Sequence, residues 1–355
     1  MTIAIAAAGT GGHVFPALAV AEALGDHPLV FFGGDRFEAT AVPAAGHEFV
    51  SVEVRGLERS LTPRNLGLPL VVRRAAAAIA DEFRRRDVTA LLATGGYVTV
   101  PAALAARRLG IPYWLAEQNA HAGLANRLMG RWAEVTFTSF AETVGAVRPR
   151  HVGNPVRAAI ARLDRADRRP GALERYGLDS GVATLGIVGG SLGSGPINDA
   201  ALAALGDWSD PPLQVLHLAG RRFADAVADR VASATPRWVV VGFEDRMEEF
   251  FAAIDVVLSR ASGMVAELTA TATPAIVVPG AYGSKGHQDA SAAVLGEVGA
   301  AVVLAEDDLA ATLGPTVRDL VCDPPRLAAM AEAARGLGRP DAASDIAREL
   351  LHAAG

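Results

Sequence analysis

The sequence predicts an α/β protein made of two doubly wound domains, each with a parallel sheet covered by helices on both faces. Three observations carry this. Short β-rich runs alternate with longer alanine-rich helical stretches along the chain. The 355 residues amount to two domains of a typical size of roughly 150. Glycine clusters recur where a strand gives way to a helix, as the tight turns of such folds require. With 51% hydrophobic and 20% charged residues, the chain can bury two cores, and a disordered chain is excluded.

Taken in order, the runs 3–6, 29–32, 90–93, 112–116 and 134–137 read as buried strands, and 15–24, 70–86 and 101–109 as helices between them. A second series follows Gly153. Its strands are 184–188, 213–218, 238–241, 255–258 and 275–278, and its helices 197–205, 264–271 and 288–295. The break falls at Gly153-Asn154-Pro155 or in the polar segment 162–171. The expected division is a first domain over 1–155 and a second over 156–337. Residues 338–355 form a final helical segment after Gly338-Arg339-Pro340, able to pack back on the first domain.

Composition narrows the function. A net charge of −6 argues against a general nucleic-acid binder. The single Cys322 excludes a disulfide framework, and eight histidines without ligand spacing give no case for a structural metal. Residues 3–24 are apolar apart from His13 and Glu22, but glycines interrupt them and no basic segment precedes them. A cytosolic protein with at most peripheral membrane contact is expected.

Three turns stand out: Gly9-Thr10-Gly11-Gly12-His13, Thr94-Gly95-Gly96-Tyr97 and Gly189-Gly190-Ser191-Leu192-Gly193. Each follows a predicted strand and opens a helix, where free N–H groups and close backbone approach suit phosphate. None has the Gly-Lys-Ser/Thr of a P-loop or a clean dinucleotide fingerprint. Two such turns in the first domain and one in the second suggest two phosphate-bearing ligands meeting in a cleft.

The segment from Gly9 to Ala19 resembles the opening loop of the MurG family. Gly95-Gly96-Tyr97-Val98 with Pro101, Glu117-Gln118-Asn119-Ala120 with Gly123 and Asn126-Arg127, Gly153-Asn154-Pro155-Val156-Arg157, and Gly189-Gly190-Ser191 are similar to further family segments, in the same order. The resemblance implies a GT-B fold: two Rossmann-like domains facing a cleft, acceptor on the first and nucleotide sugar on the second. It implies an inverting transfer of N-acetylglucosamine from UDP-N-acetylglucosamine to a lipid-diphosphate-linked N-acetylmuramyl-pentapeptide, in peptidoglycan precursor synthesis at the cytoplasmic face of the membrane. The chain departs from the family pattern in the donor half. The run from Arg260 to Glu267 is one residue short with Met264 at a threonine position, Ser291 replaces an asparagine, and Ser194-Gly195 stands where Ala-Arg is common. Alternatives are another sugar or lipid phosphate, a UDP-sugar 2-epimerase of the same fold, and a non-catalytic paralogue.

Residue by residue, His13 is the candidate catalytic base, since an imidazole at a helix start can take a proton from a hydroxyl or donate to a diphosphate oxygen. Thr10, Gly11, Gly12, Gly95, Gly96, Tyr97, Asn119 and Asn126 are the expected acceptor contacts. Glu117 reads equally as chemistry or as a loop organiser. The donor set is Arg157, Ser191, Glu244, Met264, Glu267, His287 and Gln288. Ser191 is placed on phosphate, Glu267 on the ribose hydroxyls and Gln288 on the sugar. No cofactor is required. Magnesium is allowed for as an assistant to the leaving diphosphate, although no Asp-x-Asp motif is present to hold it. Residues 55–86 carry eight arginines against three acidic residues. There Leu70, Val71, Ile79 and Phe83, flanked by Arg73, Arg74, Arg84, Arg85 and Arg86, are expected to face an anionic membrane surface.

Overall fold

The computed structural model describes residues 1–9, 11–53, 67–190, 192–280 and 287–354. Thr10, Ser191, and Arg55, Arg59 and Arg64 of the basic segment lie outside them. The chain forms two compact units, Met1–Ala158 together with Arg339–Gly355, and Ala159–Gly338.

In the first unit the elements run β1 (Thr2–Ala6), α1 (Gly11–Leu24), β2 (Leu29–Gly33), α2 (Glu38–Ala44), β3 (Phe49–Ser51) and α3 (Leu68–Arg85). They continue with β4 (Val88–Ala93), α4 (Thr99–Leu109), β5 (Tyr113–Glu117), α5 (Leu124–Met129), β6 (Thr136–Thr138) and β7 (Pro149–His151). The sheet order is β3-β2-β1-β4-β5-β6-β7, all parallel. Strand order reverses between β1 and β4, the switch point where ligands of such sheets bind.

Strand β1 shows why these runs become parallel strands. Ile3 and Ile5 enter one core with Val14, Val20 and Trp114, while Ala4 and Ala6 enter the other with Phe32, Ile79 and Phe83. A strand buried on both faces reads as continuously apolar. Ile346, Ala347 and Leu350 of a helix far along the chain complete the first of these cores beside α1.

Helix α3 corrects one expectation. Ala75, Ile79 and Phe83 form a stripe spaced by four, and the ring of Phe83 meets Phe32 edge-on at 5.1 Å. Ile79 and Phe83 are buried, at 0% and 1% exposure, so their apolar surface is spent on the core and not on a membrane. Arg84 pairs with Asp81, Arg85 with Glu82 and Arg86 with Glu48, which offsets much of the expected positive charge. Leu70 and the neighbouring Arg73 and Arg74 remain exposed.

The second unit begins within α6 (Ala158–Ala161), followed by α7 (Arg165–Tyr176), β8 (Ala183–Val188), α8 (Gly195–Leu205), β9 (Leu213–Leu218), α9 (Ala224–Val231), β10 (Arg237–Val241) and α10 (Met247–Ala253). Then come β11 (Val256–Arg260), α11 (Met264–Ala270), β12 (Ala275–Val278), α12 (His287–Glu297), β13 (Ala301–Val303), α13 (Leu309–Val321) and α14 (Pro324–Leu337). The last helix, α15 (Ala342–Ala354), belongs to the first unit. The sheet order β10-β9-β8-β11-β12-β13 repeats the plan, again parallel throughout.

A histidine is buried within this second sheet, on the strand next to its β10 edge. His217 of β9 is fully buried; its Nε2–H donates to Asn198 Oδ1 at 3.0 Å, and Trp238 Nε1–H donates to its Nδ1 at 3.3 Å. Burial holds its pKa down to about 4 from the ordinary 6.5. The unfolded chain therefore binds a proton that the folded chain refuses. Stability should fall as pH is lowered from about 6.5 towards about 4, by about 1.4 kcal/mol per unit from this group. Denaturant titrations across this range check it: the slope of stability on pH should be shallower in His217→Gln than in the parent.

Candidate functional site

Several of the candidate side chains lie at the carboxyl ends of the central strands, separately in each unit. In the first, β1 ends at Ala6 and the chain turns through Gly9 into α1, while β4 ends at Ala93 and turns through Thr94-Gly95-Gly96. The two turns touch. A Cβ on Gly96, whose φ is +81°, would sit 2.2 Å from the Ala8 carbonyl oxygen, so only glycine fits there.

His13 is the third residue of α1, and its ring is fixed by two oxygen acceptors. Nδ1 lies 3.0 Å from the Thr94 carbonyl and 3.0 Å from Gln118 Oε1. A carbonyl only accepts, so Nδ1 carries the hydrogen and the neutral ring keeps its lone pair on Nε2. The Thr94 hydroxyl donates to the His13 carbonyl at 2.9 Å, tying the first turn of α1 to the end of β4. The ring lies against Gly95, where a Cβ would come within 2.7 Å of Nδ1.

Glu117, the last residue of β5, is buried and accepts from the Asn119 N–H and Nδ2, the Gly123 N–H and Asn126 Nδ2, at 2.8–3.0 Å. Its two readings from sequence are thereby separated: it organises the loop. Asn126 is buried at 4% exposure and gives its amide hydrogens to Glu117 and the Ala116 carbonyl, so its side chain serves the loop from inside. Gly12 is exposed at the rim, Gly11, Gly96, Tyr97 and Asn119 are half-buried there, and Gly95 is buried beneath it.

Sequence reasoning missed Glu38, the first residue of α2. Fully buried, it accepts from the Gly9 N–H at 3.0 Å, the Gly34 N–H at 2.9 Å and the Tyr97 hydroxyl at 2.9 Å. Burial pushes its carboxyl up, but the Gly9 N–H and the other donors outweigh that and leave it below the ordinary 4.5. Burial and the bond to Glu38 push the Tyr97 hydroxyl up to about 12.

In the second unit the third glycine turn packs on the loop after β9: a Cβ on Gly193 would lie 2.3 Å from the Ala219 carbonyl. Gly190 is left-handed and Leu192 is 77% exposed. Beyond the turn, α8 starts with no acidic residue in its first turn and no side-chain cap. Arg260, buried at the end of β11, donates to Ser194 Oγ at 2.9 Å and pairs with Glu306. Gln288 accepts the Gly280 N–H at 2.7 Å. A Cβ on Gly280 would also approach Arg260 Nη1 at 3.3 Å, so Ser194, Arg260 and Gln288 share one rim. Arg260 and Ser194 had no role in the sequence reading.

The remaining donor candidates are scattered. Glu267 is half-buried on α11, and Met264, at the start of that helix, packs against the core. His287 opens α12, with its side chain outside the described residues. Glu244 is buried, accepting from the Tyr176 hydroxyl at 2.6 Å and the Arg246 N–H at 2.9 Å, with Arg175 beside it, which commits its carboxylate internally. Arg157 falls in the first unit. Among the described residues no group of three or more His, Cys, Asp or Glu is arranged to hold a metal ion.

Residues 3–138 match the Glycosyltransferase family 28 N-terminal domain, and residues 184–346 its C-terminal domain. The chain is similar to the UDP-N-acetylglucosamine--N-acetylmuramyl-(pentapeptide) pyrophosphoryl-undecaprenol N-acetylglucosamine transferase of Alkalilimnicola ehrlichii. The two are 40% identical over 366 residues, covering 100% of this chain and 99% of that one. It superposes on the crystal structure of Acinetobacter baumannii MurG with a TM-score of 0.79 and 27% identity, over 99% of both chains. UDP-GlcNAc 2-epimerase from Neisseria meningitidis, with a TM-score of 0.67 and 13% identity over 99% of this chain and 100% of that one, shares the fold alone.

The Glu38 network sets a measurable expectation. Glu38→Gln turns an N–H2 towards donors and should cost about 1–3 kcal/mol at neutral pH. Because the folded carboxyl lies below 4.5, its stabilisation is present above that value and lost as pH falls through the folded one. In denaturant unfolding, the gap between parent and Glu38→Gln should therefore close in acid. A gap independent of pH would mean the carboxylate does not hold the turns.

Proposed function

The chain belongs to the MurG family of glycosyltransferase family 28, and we propose that it carries out an inverting transfer of N-acetylglucosamine from UDP-N-acetylglucosamine to a lipid-diphosphate-linked N-acetylmuramyl-pentapeptide. The observation that carries the chemistry is His13, held at a helix start with Nε2 as its bare nitrogen. The acceptor hydroxyl gives its proton to Nε2 while its oxygen bonds to the anomeric carbon. The bond from that carbon to the diphosphate breaks, and UDP leaves with the electron pair. The acceptor lies on the first unit against the turns at Thr10-Gly11-Gly12 and Gly95-Gly96-Tyr97, with Asn119 on the rim.

The donor lies on the second unit. Amides around Gly190, Ser191 and Leu192 and the open start of α8 meet the diphosphate charge, as preorganised dipoles do. Glu267 accepts from the ribose hydroxyls. Gln288 Oε1 is taken by Gly280, so its Nε2 faces the sugar. Met264 and His287 belong to the same proposed donor set, whereas Glu244 acts through its loop. No step needs a metal.

The membrane reading rests on the exposed part of α3, where Leu70 is 53% exposed beside Arg73 and Arg74. A second exposed set in the same unit supports it: Leu124, Leu128 and Trp132, the last with Arg107 stacked at 4.3 Å and Arg131 at 5.3 Å. Among the described residues no helix is long and apolar enough to cross a membrane, so the contact proposed is peripheral, at the cytoplasmic face.

Two assays check these assignments. UDP release should require a lipid-diphosphate acceptor, which a 2-epimerase would not need. His13→Ala should lower turnover about 100-fold or more with donor affinity kept, and Glu267→Ala should weaken UDP binding by about 1–3 kcal/mol. Turnover of His13→Ala within a few-fold of the parent would remove the base assignment. Separately, the protein should sediment with anionic vesicles, less so as salt rises, and Arg73→Gln with Arg74→Gln should release it by about 1 kcal/mol for each charge. Unchanged sedimentation of that variant would place the membrane contact elsewhere.

A further inference from the structure

We infer that Gln118 is a positioning residue: its side-chain oxygen, beside the Thr94 carbonyl, reinforces the His13 tautomer that leaves Nε2 as the base, and it does so without a charge. This rests on the reading of His13 as the general base.

Gln118 stands directly after β5, and its Oε1 meets His13 Nδ1 at 3.0 Å across 105 residues of sequence. The Thr94 carbonyl already requires a hydrogen on Nδ1, so the Gln118 amide must present oxygen and not nitrogen to the ring. Turned the other way, two N–H groups would oppose each other. With oxygen towards His13, Gln118 Nε2 is buried and has no partner among the described residues. A buried N–H2 left without a partner costs free energy. The side chain is therefore held in this orientation by its bond to the imidazole.

A neutral partner matters chemically. As the acceptor hydroxyl passes its proton to Nε2, the ring becomes an imidazolium, and both Nδ1–H bonds become charge-assisted and strengthen. A carboxylate in the same place would favour the charged ring before substrate arrives and remove the base. The groups set against the ring fit this. They are the Thr94 carbonyl, the Gly95 backbone and the Gln118 amide, while α15 meets α1 with apolar Ile346, Ala347 and Leu350. The ionisable neighbours are turned away into their loops. Glu117 accepts from Asn119, Gly123 and Asn126, and Glu38 binds Gly9, Gly34 and Tyr97.

The test is a pH–rate profile of the full chain with UDP-N-acetylglucosamine and a water-soluble lipid-diphosphate acceptor, for the parent, His13→Ala, Gln118→Glu and Gln118→Met. The parent should show an acidic limb that His13→Ala abolishes. In Gln118→Glu the limb should move to higher pH by about one unit or more. In Gln118→Met kcat should fall about 10- to 100-fold, the scale of lost orienting partners, with both KM values and UDP affinity unchanged. Nitrogen-15 NMR of labelled histidine reads the tautomer without turnover: His13 should be protonated at Nδ1 in the parent, and the Nε2-protonated share should rise in Gln118→Met, where only the Thr94 carbonyl of the pair remains. If His13→Ala keeps the limb, the base reading fails and this inference falls with it. A His13-dependent limb that Gln118→Glu leaves in place, parent-like kcat in Gln118→Met, or His13 protonated at Nε2 in the parent would overturn the Gln118 role alone.

Discussion

Two buried carboxylates govern the rim of the first sheet. Glu38 and Glu117 each have their oxygens filled mostly by donors from turns that carry no regular structure of their own, with Asn126 of α5 as the exception. A glycine turn at a helix start has many conformations open to it, and ordering it costs backbone entropy. Glu38 offsets that cost at Gly9, Gly34 and Tyr97 together, so the first and second glycine turns are fixed by one group. Glu117 does the same for the segment after β5, and places Gln118 where it reaches His13. The turns proposed to face the ligand are thus held by charges whose oxygens are filled from within the protein.

The second unit uses the same sheet order but a different anchor. There a buried cation, Arg260, reaches Ser194 at the start of α8 and pairs with Glu306. A positive charge beneath the third turn is compatible with the diphosphate proposed to lie there, whereas the buried carboxylates of the first unit suit the rim proposed to hold an imidazole and a hydroxyl in register. Fold repetition and chemical division of labour are therefore separate matters in this chain.

How much of this was legible in sequence follows from how local each signal is. The central strands were readable because β1, β4 and β8 are buried on both faces and so are mostly apolar. Strand β7, exposed along its length and beginning with Pro149, carries no such pattern, and only its pairing with β6 makes it a strand. The glycine turns were visible because turn chemistry lies in adjacent residues. Glu38 was not, since its partners Gly9 and Tyr97 are 29 and 59 residues away and nothing about a lone glutamate after Phe37 announces them. The apolar stripe of α3 was seen but assigned to the wrong neighbour. A helix beside arginines reads alike whether its stripe meets Phe32 or lipid, and only the fold decides.

The chain's path through the first unit has a consequence for its synthesis. Residues Met1–Ala158 leave the ribosome with one wall of a core still missing, because Ile346, Ala347 and Leu350 of α15 are made only after the whole second unit. Val14, Val20 and Leu24 on α1 share that core and lack α15 until Ala159–Gly338, a compact unit of its own, has been made. The half of the protein that is translated first is the half that matures last. During that interval it presents an apolar surface of the kind chaperones hold and aggregation exploits.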